Sequence, residues 1–227
     1  MLTFEEMEAL RLSLGVAFVA TLVSIPLAIA TAFALSRGRF AGRALLDSAV
    51  HLPLVLPPVV TGYLLLMTFG RRGPVGQLLE SHFGIVLSFR WTGAVLAAAI
   101  MGFPLLVRSV RLSLEAVDRR YEQAAGSLGA NPMWVFLTVT LPLTLPGVLA
   151  GAILAFAKAL GEFGATITFV SAIPGETKTI PAAIYGYVQT PGADGNAMRL
   201  AALSALVSIA ALAASETMTR RYAQREG

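Results

Sequence analysis

Residues 12–36 read LSLGVAFVATLVSIPLAIATAFALS, twenty-five residues without one Asp, Glu, Lys or Arg. A charged side chain at a bilayer centre costs about 2.5–3.5 kcal/mol, and a spanning helix needs about 20 mainly apolar residues. The segment therefore reads as a membrane span. Four more charge-free intervals follow it: Ser48–Gly70 with 23 residues, Trp91–Val107 with 17, Gln123–Ala157 with 35 and Leu200–Ser215 with 16. The two shorter ones lengthen by snorkelling of Arg90, Arg108, Arg199 and Arg220. The 35-residue interval exceeds one helix, and its polar start, Gln123 to Pro132, reads as a loop element before a span. The chain is thus an all-α integral membrane protein with one domain over 1–227. Five helices are expected near 9–36, 44–69, 91–112, 132–158 and 197–217.

The whole-chain figures agree. Of 227 residues, 56% are hydrophobic and only 13% charged, with mean hydropathy +0.73. A soluble domain carries about 25% charged residues. Uninterrupted apolar runs do not alternate as barrel strands must. With no cysteine, disulfides, thiolate zinc sites and cysteine nucleophiles are excluded. The net charge of +4 comes from residues that flank apolar stretches and form no continuous patch, so nucleic acid is not an expected partner. Between Gly161 and Ala193 lie apolar stretches broken by Pro174, Gly175, Pro181, Pro191 and Gly192; a short interfacial helix or a protein-buried loop is expected there.

Glu5, Glu6 and Glu8 precede the first apolar run, where a cleavable signal would be basic. With five spans the termini fall on opposite sides. One side holds Arg37, Arg39, Arg43, Arg108, Arg111, Arg119, Arg120, Arg220, Arg221 and Arg225, ten of the 17 Lys and Arg residues. The positive-inside rule then makes the C-terminus cytoplasmic and the N-terminus periplasmic, against the Arg71-Arg72 pair.

The link between the third and fourth helices reads Arg119-Arg120-Tyr121-Glu122-Gln123-Ala124-Ala125-Gly126-Ser127-Leu128-Gly129-Ala130-Asn131-Pro132. It holds about two helical turns, near 120–129. Gly129 suits the left-handed position that ends a helix, and Asn131-Pro132 has the cap and first-turn chemistry that starts the next. A short surface rod follows, with Ala124, Ala125 and Gly126 keeping part of it small. The alternative is an ordinary interfacial loop whose alanines only favour helix.

Here the chain resembles the membrane subunits of type I ABC importers. Their pattern is Glu-Ala-Ala, three residues, Gly, nine residues, Ile, one residue, Leu-Pro. Ala124, Ala125, Gly129, Val139, Leu141 and Pro142 stand at those spacings, with Val for Ile, and Gln123 where the glutamate belongs, beside Glu122. Within that family the chain is similar to the permeases of molybdate importers over nearly its full length. The stretches are residues 46–48, 51–60, 62–65, 70–73, 160–166 (Leu-Gly-Glu-Phe-Gly-Ala-Thr), 173–181 and 189–192. The Gly-Glu-Phe-Gly-Ala stretch also looks like sulfate and tungstate permeases, so tetrahedral oxyanions are implied more strongly than molybdate itself. The resemblance implies a homodimer in the inner membrane, two cytoplasmic ATPase subunits that bind the ATP, and a periplasmic molybdate-binding protein. It implies that Tyr121, Glu122, Gln123, Ala124, Ala125 and Gly129 form the coupling helix that an ATPase groove grips. This chain itself would bind no cofactor.

Residues 52–59 and 141–148 share the pattern Leu-Pro-Leu-x-Leu-Pro-x-Val. Interior prolines kink helices, and transporters use such breaks where backbone lines a cavity. Helices two and four are therefore both expected to kink and line the path, with Pro53, Pro57 and Pro142 as candidate pore residues; kinks that merely shape packing are the alternative. Glu162 and Phe163 are candidate gate residues. For Lys158 and Glu162 the plainer expectation is an interfacial i,i+4 pair worth a few tenths of a kcal/mol, and for Gly161 and Gly164 close packing. Arg43, Asp47 and His51 share a helix face; a structural pair beneath a buried histidine is favoured over a proton relay. Trp91 and Trp134 read as interfacial anchors. Gly175-Glu176-Thr177-Lys178-Thr179 lacks the first glycine of a nucleotide-binding loop, and two isolated histidines make no His-Glu-x-x-His site. Enzymatic activity is not expected. The rivals are an autonomous ion-coupled transporter and a non-transporting assembly subunit.

Overall fold

The computed structural model describes residues 2–223, all-helical among those residues and without a strand. Arg225 and the side chains of Arg220 and Arg221 lie outside what it describes. Helix α1 (Phe4–Arg37) is opened by Thr3 and Glu6, each accepting from the other's backbone N–H. Then come α2 (Arg43–Val55), α3 (Pro58–Phe69), α4 (Pro74–Phe83), α5 (Trp91–Ala116), α6 (Arg119–Ser127) and α7 (Pro132–Val135). A π-helical turn, Phe136–Thr140, joins α7 to α8 (Leu141–Leu160). The chain closes with α9 (Gly164–Val170), α10 (Ile180–Val188) and α11 (Asp194–Ala223).

Among the described residues, four helices are long and apolar enough to cross a membrane: α1, α5, the continuous Pro132–Leu160 helix and α11. The expected second span, 44–69, is not one rod. It divides into α2 and α3, set 117° apart around Leu56-Pro57. Pro57 and Pro58 both lack an N–H, so two successive ladder bonds are missing, and Leu56 turns extended (ψ 142°) as a residue before proline must. The fourth span behaves differently. Pro142 falls in the first turn of α8, Pro146 lies inside it, and the helix runs on from Pro132 to Leu160. The strain that Pro142 imposes is taken up upstream, where Leu141 N–H bonds back five residues to Phe136. The shared proline pattern thus gives a break in one helix and a widened turn in the other. Two short helices, α9 and α10, fill the 161–193 region, and α4 is an element the apolar pattern did not reveal.

Small residues hold the bundle together. In α1, Ala17, Ala28 and Ala32 are fully buried, and Ala94 and Ala97 are so in α5. A Cβ on Gly147 would strike Ser113, and one on Gly151 would lie 2.8 Å from the Cβ of Ser109. Ser109 Oγ donates to Gly147 O at 2.9 Å across the same seam. Helices thus approach backbone to backbone, the packing mode open to helices in lipid, where apolar burial between them gains little.

Polar contacts sort the helix ends into two faces. At one, Lys178 reaches Glu5 at 3.1 Å, Arg199 reaches the fully buried Glu6 at 2.9 Å, and Glu176 accepts from Trp91 N–H at 3.4 Å. At the other, Arg37 meets Glu122 at 3.0 Å and Arg111 meets Asp47 at 3.0 Å. Since α2 starts at the Glu122 face and α5 at the Glu6 face, the bent α2–α3 pair carries the chain across. With the bent pair counted as one span, the described residues make five crossings, and the start of α1 lies opposite the rod α6. Arg43 is not the partner of Asp47, as its helix-face spacing led us to expect; Arg111 on α5 takes that place. His51 is half-buried, with Nδ1 2.8 Å from Asp47 O.

Candidate functional site: the surface rod and the helix break

The rod α6 is capped by Asp118, whose carboxylate accepts from Arg120 N–H at 2.9 Å, and is followed by Gly129 at φ +88°. Asn131 then accepts from Trp134 N–H at 2.8 Å to open α7. No residue of α6 is buried. Tyr121, Gln123 and Ala124 are exposed, Ala125 is half-buried, and Gly126 and Gly129 have open space where a Cβ would stand. A small, bare outer surface is what a rod seated in another protein's groove needs.

Glu122 points the other way. Its Oε1 accepts from Arg37 Nη2 at 3.0 Å and from Thr140 Oγ1 at 2.9 Å, with the Arg37 and Glu122 side chains only 14% and 24% exposed. Arg37 Nη2 also donates to Leu114 O, at the end of α5, at 3.3 Å. One carboxylate and one guanidinium therefore join α1, α5, α6 and the π turn. The cluster borders a cavity of about 340 Å³ walled by Phe33, Phe136 and Val135 among others. Arg37 and Thr140 were not singled out in the sequence; no spacing rule links positions 37, 122 and 140, which only the fold brings together. Pro142 stands two residues from this cluster, so it belongs with the rod and not with Glu162 and Phe163. Restoring an N–H with Pro142→Ala should let the π turn close to a regular helix and swing Thr140 off Glu122, read as a lower melting temperature of the purified protein.

The second assembly surrounds the helix break. Glu162, in the short link from α8 to α9, has a side chain only 1% exposed. Its Oε2 accepts from Lys158 Nζ at 2.7 Å and its Oε1 accepts from Ala165 N–H at 3.0 Å. The expected i,i+4 pair is therefore present; what its spacing did not show is that the carboxylate is buried and also caps the first turn of α9. Thr166 Oγ1 donates to Phe163 O at 2.9 Å, and the Phe163 ring lies 5.1 Å from that of Tyr185 on α10. Helices α3 and α9 meet through reciprocal glycines. A Cβ on Gly164 would lie 2.7 Å from Pro58 Cβ, and one on Gly62 would lie 2.8 Å from Ala165 Cα. Gly164 thus packs closely as expected, whereas Gly161 does not. Pro57 abuts this assembly through Pro58. Pro53 lies apart, lining an apolar groove with Val23, Leu27, Ile100 and Phe103.

The chain as a whole matches known proteins. Residues 9–225 match the family of binding-protein-dependent transport system inner membrane components. The chain belongs to that family. It is 56% identical over 226 residues to the molybdenum transport system permease protein ModB of Escherichia coli K12, covering 100% of this chain and 99% of that one. It is 53% identical over 222 residues to ModB of Haemophilus influenzae, covering 98% and 97%. The sulfate transport system permease CysW of Synechococcus elongatus is 36% identical over 220 residues, covering 96% and 76%. Among solved structures, a bacterial ABC transporter that imports alginate superposes with TM-score 0.75 at 16% identity, over 96% of this chain and 80% of that one. The MetNI methionine ABC transporter in an inward-facing form gives 0.67 at 15% identity, over 95% and 93%. At such identities these two show the fold alone, that of type I ABC importer membrane subunits. The protein is thus a multi-pass permease subunit, as the relatives named above are transport permeases.

Proposed function

We propose that this chain is the membrane subunit of an ATP-driven importer for molybdate, working as a homodimer with the path between its two copies. Full-length likeness to the E. coli and H. influenzae molybdenum permeases carries this reading. Two ATPase subunits would bind the exposed side of the rod α6 at the cytoplasmic face, and a periplasmic binding protein would deliver the oxyanion at the Glu6 face. Closure of the ATPase pair would push the rods. The stiff α5–α8 seam would pass that push to the break around Pro57, Glu162 and Phe163, and the path would open outward. Selectivity would rest with the soluble binding protein, so the spans need hold the dianion only weakly. The N-terminus would then be periplasmic and the C-terminus cytoplasmic, in keeping with the arginines of the Glu122 face.

Proteoliposomes holding this permease, its ATPase and its binding protein should take up molybdate only with ATP inside and binding protein outside. Excess sulfate should leave that uptake intact. Sulfate uptake at an equal rate would move the assignment to the sulfate branch, and uptake without any ATPase would remove it.

A further inference from the structure

Glu122, we infer, is the positioning residue through which the rod drives the membrane helices; the inference rests on the reading that α6 receives the ATPase stroke. A push on a rod reaches the bundle only through what joins them. Apolar burial contributes little, because α6 buries no residue and a cavity of about 340 Å³ lies behind it. The remaining side-chain bonds of α6 stay within its own neighbourhood: Asp118 to Arg120 and Ser127 to Ala124 O. Among the described residues, the side-chain hydrogen bonds leading from α6 into the bundle are those of Glu122, to Arg37 on α1 and Thr140 in the π turn. Charge-assisted bonds of 2.9–3.0 Å are the strong kind, and partial burial shields them from screening.

The geometry also leaves room for a stroke. Both bonds converge on Oε1, and Arg37 Nε is buried without a partner. A small displacement of the rod can therefore convert the single Arg37–Glu122 bond into the two-bond fork that guanidinium and carboxylate favour. Thr140 sits on the one turn of the fourth span whose hydrogen bonds are already wider than α-helical, where backbone yields most easily. Gln123, at the position of the family's glutamate, faces outward and takes no part in this link.

The test uses the complete reconstituted importer and reads molybdate transported per ATP hydrolysed. E122Q should lower that ratio roughly tenfold, the effect of about 1.4 kcal/mol lost from one charge-assisted bond. T140V should lower it as well, whereas T140S should match wild type. A residue needed only for folding would reduce transport and hydrolysis together and leave the ratio unmoved. An unchanged ratio in E122Q overturns the inference; if E122Q does not assemble, an unchanged ratio in T140V does so. Crosslinking from a Gln123→Cys chain to the ATPase, with Glu122 intact, reports separately on the underlying reading. No crosslink removes the reading of the rod itself, while a crosslink with an unchanged ratio removes only the role of Glu122.

Discussion

Gly62→Leu should abolish uptake and lower the melting temperature of the purified permease. Cβ atoms do not approach other heavy atoms closer than about 3 Å, and a Cβ here would meet Ala165 Cα at 2.8 Å and Thr168 Cβ at 2.9 Å. The obstacle is the backbone of α9, which no rotamer change can move aside. Nor can α9 retreat freely, because Gly164 is already pressed against Pro58 on the helix that carries Gly62. Overpacking of this kind costs typically 1–3 kcal/mol, and it falls on the joint between the bent helix and the Glu162–Phe163 link. Gly15→Leu is the matched control, since nothing lies within 4 Å of the Cβ position there. A Gly62→Leu permease with wild-type uptake would show that α3 and α9 need not stay in contact.

Glu162→Ala should be nearly as damaging, by a different route. The carboxylate neutralises Lys158 and accepts from Ala165 N–H, so truncation strands a buried amide and takes the partner from Lys158, whose side chain is 32% exposed. Loss of a buried partner costs roughly 1–3 kcal/mol. Glu162→Gln keeps an oxygen for Ala165 N–H and loses only the charge. Thermal melts in detergent should therefore rank wild type above Glu162→Gln and that above Glu162→Ala. Equal melting of the two variants would mean that capping α9 contributes nothing and the ion pair everything.

The spans were legible because lipid leaves charge no place to hide: runs without Asp, Glu, Lys or Arg locate α1, α5, α8 and α11, although α5 continues nine residues past the last uncharged position of its run. The rod was equally plain, since Gly129 and Asn131-Pro132 punctuate it with chemistry that depends on neighbours in the chain. The Pro57 break was harder to separate from the Pro142 turn. Identical local patterns met different surroundings, and whether a missing N–H yields a 117° corner or a π turn is decided by what packs alongside. Likewise Lys158 and Glu162 have ordinary i,i+4 spacing, and only the return of α9 shows that the carboxylate is buried. Arg37, Glu122 and Thr140 lay beyond any such reading, as they are 18 to 103 positions apart and meet only after α1, α6 and the π turn are assembled.

The brevity of the links on either side of the rod has one more consequence. Two residues, Val117 and Asp118, separate it from α5, and four, Leu128 to Asn131, separate it from α7. Such links admit little backlash: they hold the rod in register, so that a push on it loads the Glu122 bonds and is not lost as sideways travel. Splicing a few flexible glycines after Ser127 would introduce slack without altering any contact surface; if the rod receives an ATPase stroke as proposed, the motor would idle, burning nucleotide while the cargo stays outside.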